Sequence, residues 1–537
     1  MSIEQGRTHV PENTDVVVVG AGFSGMYLIK LIREAGLSVV VIEQGGGVGG
    51  TWYWNRYPGA RCDVESVQYS HTYLPDLEQE WDWSERYAPQ PEILAYANEI
   101  ADRQDLRRDI CFNRKVTRAI YDEFTKRWTL TTDTGETITA PFFIMATGCL
   151  SVPNEVSFEG RDLFQGPTYQ TGNWPHEPVD FTGKAVAVIG TGSSAIQSIP
   201  QIAKQAAKLT VFQRTPNYTV PAQNRALSDE DRAAVKADYA SLRAAQALTQ
   251  GNIVGRAPQG KSTDFSREEQ WAEYQKRWDD GGILFNASYV DVMIDKEANN
   301  VAADFVRAKI LETVDDRETA ELLCPTNTLG AKRLCVDIGY YETFNQPHVD
   351  LVDISDTSLS IDESSISANG RTFPVDTIVY ATGFDAMTGA VLRVDVRGRE
   401  GKSLADHWSG GPRTYLGLAI TGFPNLFTVT GPASPSVFTN MIPTLEQHCE
   451  WIAACIGDLY KQGFAEIEAE EHAEDAWMDH NRDVGAAHLR SSSASWYTGE
   501  NIEGKPVGFM PYIGGMPRYR EKCEAVVKNG YEGFSRS

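Results

Sequence analysis

Two short glycine-rich segments have the residue types and spacing that bind dinucleotides. Residues 20–25 read GAGFSG directly after an apolar stretch, and residues 190–195 read GTGSSA after another. Small residues here allow a tight turn and let a pyrophosphate reach backbone N–H groups at a helix N-terminus. The pattern predicts that two dinucleotides are bound, with contacts from Gly20, Gly22, Ser24, Gly25, Gly190, Thr191, Gly192, Ser193 and Ser194.

The residue that ends the strand after each loop distinguishes the two nucleotides. Glu43 follows the first loop, and a carboxylate at this position can accept hydrogen bonds from the ribose hydroxyls of FAD. Arg214 follows the second loop, and a guanidinium there matches a 2′-phosphate. The sequence therefore predicts FAD in the first unit and NADPH, not NADH, in the second. A nicotinamide would then deliver hydride to a flavin.

The cysteines bear on the electron acceptor. Cys62 is the only cysteine in the first hundred residues, whereas disulfide reductases need a redox-active pair near the flavin. Oxygen is the natural remaining acceptor. The 8 cysteines and 9 histidines show no metal-ligand spacing, so no metal site is predicted.

The elements around the loops indicate an α/β fold with two Rossmann-like dinucleotide-binding domains, one for FAD and one for NADP. Residues 15–19, 25–35 and 38–43 read as a strand, a helix and a strand, and the same order recurs from residue 185. Residues 142–146 read as a strand that returns to the first sheet.

A helical insertion is predicted after the second unit. Residues 227 to about 323 are rich in Ala, Glu, Arg and Lys, and Ser228 and Asp231 have the spacing of a capping box. The predicted division of the chain is 1–152 for the first part of the FAD-binding domain, 153–226 for the first part of the NADP-binding domain, 227–330 for the helical insertion, 331–386 for the second part of the NADP-binding domain and 387–537 for the second part of the FAD-binding domain with a C-terminal cofactor loop.

Charge and hydropathy limit the partners. The chain has 49 Lys and Arg against 73 Asp and Glu, a formal charge of −24 that repels nucleic acid. No run of about 18 uncharged apolar residues suggests a membrane span, and the N-terminal residues lack an apolar signal-peptide core. We expect a cytoplasmic protein that binds neither nucleic acid nor membranes, as a monomer or weak oligomer.

Residues 164–175 (FQGPTYQTGNWP) resemble the FxGxxxHxxxWP fingerprint of type I Baeyer–Villiger monooxygenases. Gln170 stands at the histidine position, and its amide forms hydrogen bonds but does not titrate near neutral pH. Further blocks follow in family order at residues 49–63, 330–333, 381–385 and 495–497. The pattern looks most like the phenylacetone, steroid and cyclohexanone monooxygenase group.

This resemblance implies a flavoprotein that uses FAD, NADPH and O2 to convert ketones to esters or lactones through a peroxyflavin, with sulfoxidation as a further activity. It implies that Arg333 is the catalytic arginine, that Asp63 orients it, that Lys332 joins Arg214 at the 2′-phosphate and that Trp496 lies on a loop closing over the nicotinamide. The remaining residues implied are Thr51, Trp52, Asp63, Tyr69, Val116 and Met441 for FAD, Arg61, Gln197, Thr215 and Arg333 for NADP, and Val437 and Phe438 for the substrate pocket.

Two other functions remain open. A flavin monooxygenase that oxygenates nitrogen or sulfur would share both glycine loops, although Trp174, Pro175 and the Arg333 block favour ketones. A flavoprotein that only oxidises NADPH, or that serves as a scaffold, is the second alternative.

Overall fold

The computed structural model describes residues 6–537, so the first five residues of the predicted segment 1–152 lie outside it. Its α-helices are Phe23–Glu34, Thr51–Trp54, Pro75–Glu80, Gln90–Arg103, Ser193–Ala203, Asp229–Ala237, Tyr239–Leu248, Arg267–Asp280, Lys296–Thr313, Arg317–Leu323, Tyr340–Thr343, Gly389–Leu392, Leu404–His407, Met441–Gln462, Glu471–Ala486 and Met516–Lys528. No helix within residues 6–537 combines the length and the apolar character needed to cross a membrane.

The first of two large sheets holds the first glycine loop. Its five parallel strands lie in the order Leu426–Thr428, Phe142–Met145, Val16–Val19, Val39–Ile42 and Ile110–Cys111. Val17 lies opposite both Val40 and Phe143, and all three are buried. Parallel sheets are covered on both faces, which explains why these strands are apolar without alternation.

The second sheet holds the second glycine loop and repeats this design. Its five parallel strands lie in the order Val349–Asp353, Lys208–Gln213, Ala185–Ile189, Thr377–Tyr380 and Thr168–Gln170. The α/β class with two parallel, Rossmann-like sheets is thereby confirmed. The predicted domain limits stay a prediction, supported by the chain leaving the first sheet after residue 145 and returning to it at residue 426.

Smaller sheets surround these two. A four-stranded sheet has the order Asp395–Arg397, Val116–Asp122, Arg127–Thr132 and Thr137–Ala140, and a three-stranded one has the order Ser360–Ile361, Ser365–Ala368 and Arg371–Pro374. Two further pairs join Thr219–Pro221 to Cys335–Asp337 and Ile467–Ala469 to Phe534–Arg536.

The chain crosses between the two large sheets through paired segments. The N–H of Asp385 donates to the carbonyl of Val152 at 2.8 Å, and the N–H of Asn154 donates to Gly383 at 3.0 Å. Gln170, at the end of its strand, adds a bond from Nε2 to the carbonyl of Asn154 at 2.7 Å. Main-chain hydrogen bonds therefore join the two connecting segments, and the side-chain amide of Gln170 bonds one of them.

The predicted insertion is helical, and side chains cap its helices. Ser228 begins the first helix as a capping box with Asp231, as its spacing predicted. The next four helices have capping side chains from Asp238, Ser266, Asp295 and Asp316.

One ion pair lies inside the insertion. Arg277 donates to Glu273 at 2.9 Å, and their side chains are only 3% and 8% exposed. The same guanidinium also donates to the carbonyls of Arg256 and Ala257. The protein itself thus supplies the acceptors for the Arg277 guanidinium.

Replacement of this arginine tests the packing of the insertion. We expect Arg277→Met to lower the free energy of unfolding by about 3–5 kcal/mol, because Glu273 is left as a buried, unpaired charge. Arg317→Met is the matched control: it removes an i,i+4 pair with Glu321 whose side chains are 69% and 60% exposed, and it should cost less than about 1 kcal/mol. Urea unfolding followed by tryptophan fluorescence measures the free energy of unfolding of both variants. An equal loss in the two variants would contradict a stabilising role for the buried Arg277–Glu273 pair.

Candidate active site

The first glycine loop is shaped by two close approaches. Gly20 has φ +107°, and a Cβ there would lie 2.5 Å from the carbonyl oxygen of Ala146. A Cβ on Gly25 would lie 1.9 Å from the carbonyl oxygen of Gly20. Side chains at these positions would push the loop and the helix Phe23–Glu34 away from the sheet.

The second loop reproduces the first approach and leaves space above its middle glycine. Gly190 has φ +113°, and a Cβ there would lie 2.5 Å from the carbonyl oxygen of Ala381. A Cβ on Gly192 would meet no atom within 4 Å. Gly192 is therefore not required by packing inside the protein, and it borders open space at the start of the helix Ser193–Ala203.

The helices that follow the two loops fit bound anions. Neither Phe23–Glu34 nor Ser193–Ala203 has a side-chain cap or an acidic residue in its first turn. The helices of the insertion, in contrast, are capped by their own side chains. The first N–H groups of a helix need acceptors, and a pyrophosphate supplies them. These helix starts therefore fit the predicted dinucleotides.

Glu43 is fixed beside the first loop. Its carboxylate accepts the N–H of Ala21 and the N–H of Gly45, each at 2.7 Å. Burial raises the pKa of Glu43, while these backbone bonds oppose the rise. A carboxylate has about four acceptor positions, so Glu43 can also accept from a ribose hydroxyl.

Two cations approach each other at the end of the strand Lys208–Gln213. Arg214 follows this strand and is exposed, and Lys332 is partly buried. Burial lowers the pKa of Lys332, and the nearby Arg214 lowers it further. Within residues 6–537 no carboxylate acts on the pKa of Lys332. Two neighbouring cations without an acidic partner can bind a doubly charged anion such as a 2′-phosphate.

Arg333 and Asp63 form a bidentate ion pair in the site. Nε and Nη2 of Arg333 donate to the two carboxylate oxygens of Asp63 at 2.6 and 2.9 Å. Its Nη1 donates to the main-chain carbonyl of Val437 at 2.6 Å. Burial lowers the pKa of Arg333, but Asp63 more than offsets this, and the pKa lies above its ordinary value. The group therefore stays cationic at any pH at which the protein is folded.

Aromatic side chains pack against one another near this guanidinium. Phe438 lies 4.5 Å from Tyr497 between ring centres, and Trp496 lies 4.0 Å from Tyr497. Tyr497 is buried, and Arg333 is among the charges that act on its pKa. The residues predicted for the substrate pocket and for the cofactor loop thus meet beside Arg333.

Other predicted residues lie in two groups. Near the first loop, Trp52 Nε1 donates to the Tyr69 hydroxyl at 3.1 Å. Thr51 begins the short helix that contains Trp52, and Met441 begins the helix Met441–Gln462. Near the second loop, Thr191 donates to the carbonyl of Thr215 at 2.9 Å.

Some predicted contacts are already made within the protein. The Arg61 side chain forms an ion pair with Glu85 at 2.9 Å. The main-chain carbonyl of Arg61 accepts a bond from Gln197, so a contact to NADP would come from the Arg61 main chain. Val116 lies in a strand with its side chain in the core, so a flavin contact would come from its main chain. The hydroxyl of Ser194 is within 2.9 Å of Thr171. No cluster of three or more metal-ligating residues occurs in residues 6–537.

Two residues of the site, Cys335 and Tyr57, were not predicted from the sequence. The Cys335 thiol lies 3.1 Å from the Ser193 hydroxyl, and burial raises the pKa of that thiol to about 12. The Tyr57 hydroxyl donates to Gln197 at 2.9 Å and holds the amide in place. Tyr57 stands in the block at residues 49–63, which is the only signal that could have indicated it.

Known proteins resemble this chain along its full length. A family model described as pyridine nucleotide-disulphide oxidoreductase matches residues 17–244, which include both glycine loops. A phenazine N-monooxygenase of Lysobacter antibioticus is 38% identical over 99% of this chain and 98% of its own length. An acetone monooxygenase (methyl acetate-forming) of a Gordonia species is 38% identical over 97% of this chain and 99% of its own.

A solved structure extends the likeness to three dimensions. Oxidized steroid monooxygenase bound to NADP matches with a TM-score of 0.94 and 49% identity, covering 98% of this chain and 99% of that one. The predicted resemblance is thereby confirmed. A Baeyer–Villiger monooxygenase of Pseudooceanicola batsensis is 38% identical over 100% of this chain and 99% of its own length, so the chain belongs to the Baeyer–Villiger monooxygenase family.

Proposed function

We propose that this protein is an NADPH-dependent flavoprotein monooxygenase that converts a ketone and O2 to an ester or lactone. The observation that carries the proposal is the guanidinium of Arg333, held by both oxygens of Asp63 and by the carbonyl of Val437. The acetone monooxygenase relative forms methyl acetate, which is the same insertion of oxygen beside a carbonyl.

FAD and NADP are the cofactors. The chemistry that the flavin supplies when bound is acceptance of hydride from NADPH and activation of O2. The chain's own residues bind and orient: the uncapped helix starts receive the pyrophosphates, Glu43 receives ribose hydroxyls, and Arg214 with Lys332 receives the 2′-phosphate.

Arg333 acts on the substrate through fixed charge. Negative charge develops on oxygen when a ketone carbonyl is attacked, and a preorganised cation stabilises it without reorganising. Asp63 keeps the guanidinium in one orientation and prevents it from turning toward solvent. The aromatic side chains of Phe438, Tyr497 and Trp496 exclude water from the same region.

Nitrogen oxygenation is the second candidate function. A relative of equal identity over nearly the whole chain is a phenazine N-monooxygenase. The fold and the loops are therefore compatible with oxygenation of a soft nucleophile, including sulfur. The cation at Arg333 favours ketones, because an attacked carbonyl develops an anion that needs it and an amine or sulfide does not.

The partners proposed are small: a ketone, O2 and the two cofactors. All eight cysteines are free, and seven are buried, which fits the reducing conditions of the cytoplasm. We propose a monomer or weak oligomer there, and sedimentation of the purified protein at several concentrations measures its association.

Product analysis tests the proposed function. Purified protein with FAD and NADPH is incubated with cyclic, aryl and steroid ketones, and with an aromatic amine and a sulfide, and the products are identified by mass. Ester or lactone from at least one ketone is expected. Formation of N-oxide alone would favour nitrogen oxygenation. NADPH consumption that yields only hydrogen peroxide would show that the protein is an NADPH oxidase and not an oxygenase.

Two glycine substitutions separate packing from cofactor approach. Gly25→Ala should give protein with little bound FAD, because the new Cβ would lie 1.9 Å from the Gly20 carbonyl oxygen. Gly192→Ala should keep its FAD, because no atom lies within 4 Å, but should raise the Kd for NADPH by about tenfold, or about 1.4 kcal/mol. The absorption spectrum and an NADPH titration measure the two effects, and normal FAD content in Gly25→Ala would contradict the first.

The double substitution Arg214→Ala, Lys332→Ala tests the phosphate site. We expect the KM for NADPH to rise by about 10- to 100-fold, because charge-assisted hydrogen bonds to the 2′-phosphate are lost. NADH lacks that phosphate and is the internal control, so its KM should change little. A parallel rise for both cofactors would show that the two cations serve another part of the nucleotide.

Arg333→Ala tests the proposed catalytic charge. Ester formation should fall by about 10²- to 10³-fold, the usual effect of removing one stabiliser of a developing oxyanion. NADPH consumption should continue, with the oxygen recovered as hydrogen peroxide. Bound FAD and circular dichroism report whether the variant is folded, and retained ester formation would remove Arg333 from the catalytic role.

A further inference from the structure

A second guanidinium lies in the site and has no role in the function derived so far. Arg490 follows the helix Glu471–Ala486, and its Nε donates to the carbonyl of Gly330 at 2.8 Å. Its guanidinium carbon lies 4.8 Å from the ring centre of Phe438. Gly330 leads into the Arg333 segment, and Phe438 follows the carbonyl that Arg333 contacts.

Arg490 has no acidic partner among the described residues. The titratable groups that act on its pKa are the Tyr497 hydroxyl and the like-charged Arg333. Elsewhere in the chain, buried guanidinium groups are matched by carboxylates: Arg277 by Glu273, and Arg333 by Asp63. An unmatched cation away from bulk water is costly unless something else supplies the negative charge.

The Arg490 side chain is partly buried next to Phe438. Part of its surface remains accessible to solvent. Burial, and then the nearby Arg333, lower the pKa of Arg490 to about 10, so the group is cationic at neutral pH. One of its donors is used by Gly330, and the two terminal nitrogens have no acceptor within residues 6–537, so they are available to a ligand.

The neighbours of Arg490 place it beside the Arg333 contact. Phe438 lies beneath the guanidinium, and Tyr497 contacts the same ring at 4.5 Å. Because Arg333 bonds the carbonyl of Val437, the two cations act on consecutive residues of one segment. Arg333 also acts on the pKa of Arg490, so the two guanidinium groups are close enough for one small molecule to reach both.

We infer that Arg490 is a specificity-determining residue, and that the preferred substrates are ketones that also carry a carboxylate. The carbonyl is held at Arg333 and the carboxylate at Arg490, where the planar guanidinium offers two parallel donors. This inference rests on the proposed function, because it names the substrate class of the same site.

The experiment compares acids with their methyl esters. Straight-chain oxo acids with the carbonyl at successive positions, and the matching methyl esters, are given to the FAD-loaded enzyme with NADPH. For the favoured chain length, the ratio of kcat/KM for acid to that for methyl ester should exceed one. In Arg490→Leu this ratio should fall about 10- to 100-fold, the effect of losing hydrogen bonds to a charged group.

Two further variants serve as controls. Arg482→Leu removes a cation that is 70% exposed and pairs with Asp479, so it changes net charge equally and should leave the ratio unchanged. Arg490→Gln removes the charge but keeps a donor for Gly330, and it replaces the leucine variant if that protein does not fold.

A binding measurement gives a readout that does not need turnover. Octanoate, which has no ketone, is titrated calorimetrically into oxidised enzyme, and its Kd should rise about tenfold or more in Arg490→Leu but not in Arg482→Leu.

The outcomes separate the two claims. If neutral ketones yield esters but the acid-to-ester ratio is the same in Arg490→Leu, the substrate class is wrong and the proposed function stands. If no ketone of either kind yields ester, the proposed function fails, and unchanged octanoate binding would then overturn the carboxylate site as well. Weaker NADP+ binding by Arg490→Leu with an unchanged ratio would assign the cation to the cofactor and overturn the inference.

Discussion

The bidentate pair of Arg333 with Asp63 joins parts of the chain that are 270 positions apart. Asp63 follows the first glycine unit, Arg333 follows the helical insertion, and the carbonyl of Val437 completes the contact from the C-terminal part. A guanidinium with a carboxylate on one side and a carbonyl on another can point its remaining surface in one direction only. The site therefore exists only when all three parts are folded and in register.

The two glycine loops show how a short pattern can fix a structure. Gly20 and Gly190 adopt nearly the same positive φ, and both lie against the carbonyl of an alanine that ends a neighbouring strand. The sequence predicted both units because turn, helix start and strand depend on residues close together in the chain. It also predicted the capping box at Ser228, for the same reason.

Features that depend on distant residues were not predictable in this way. The four-stranded sheet takes its edge strand Asp395–Arg397 from far along the chain, and three-residue strands have no distinctive pattern. The third contact of Arg333 is a main-chain carbonyl, which every residue possesses. Arg490 stands in a polar stretch where an arginine is ordinary, and only its fold neighbours reveal that it lacks an acid.

The paired crossings between the two sheets have a mechanical consequence. The two segments that pass between the sheets are bonded to each other at Val152 and Asp385, so one cannot shift without the other. Any change in the distance between the two glycine loops would have to bend both segments together. The Gln170 amide bonds one of these segments and does not titrate near neutral pH, so this hydrogen bond is independent of pH there.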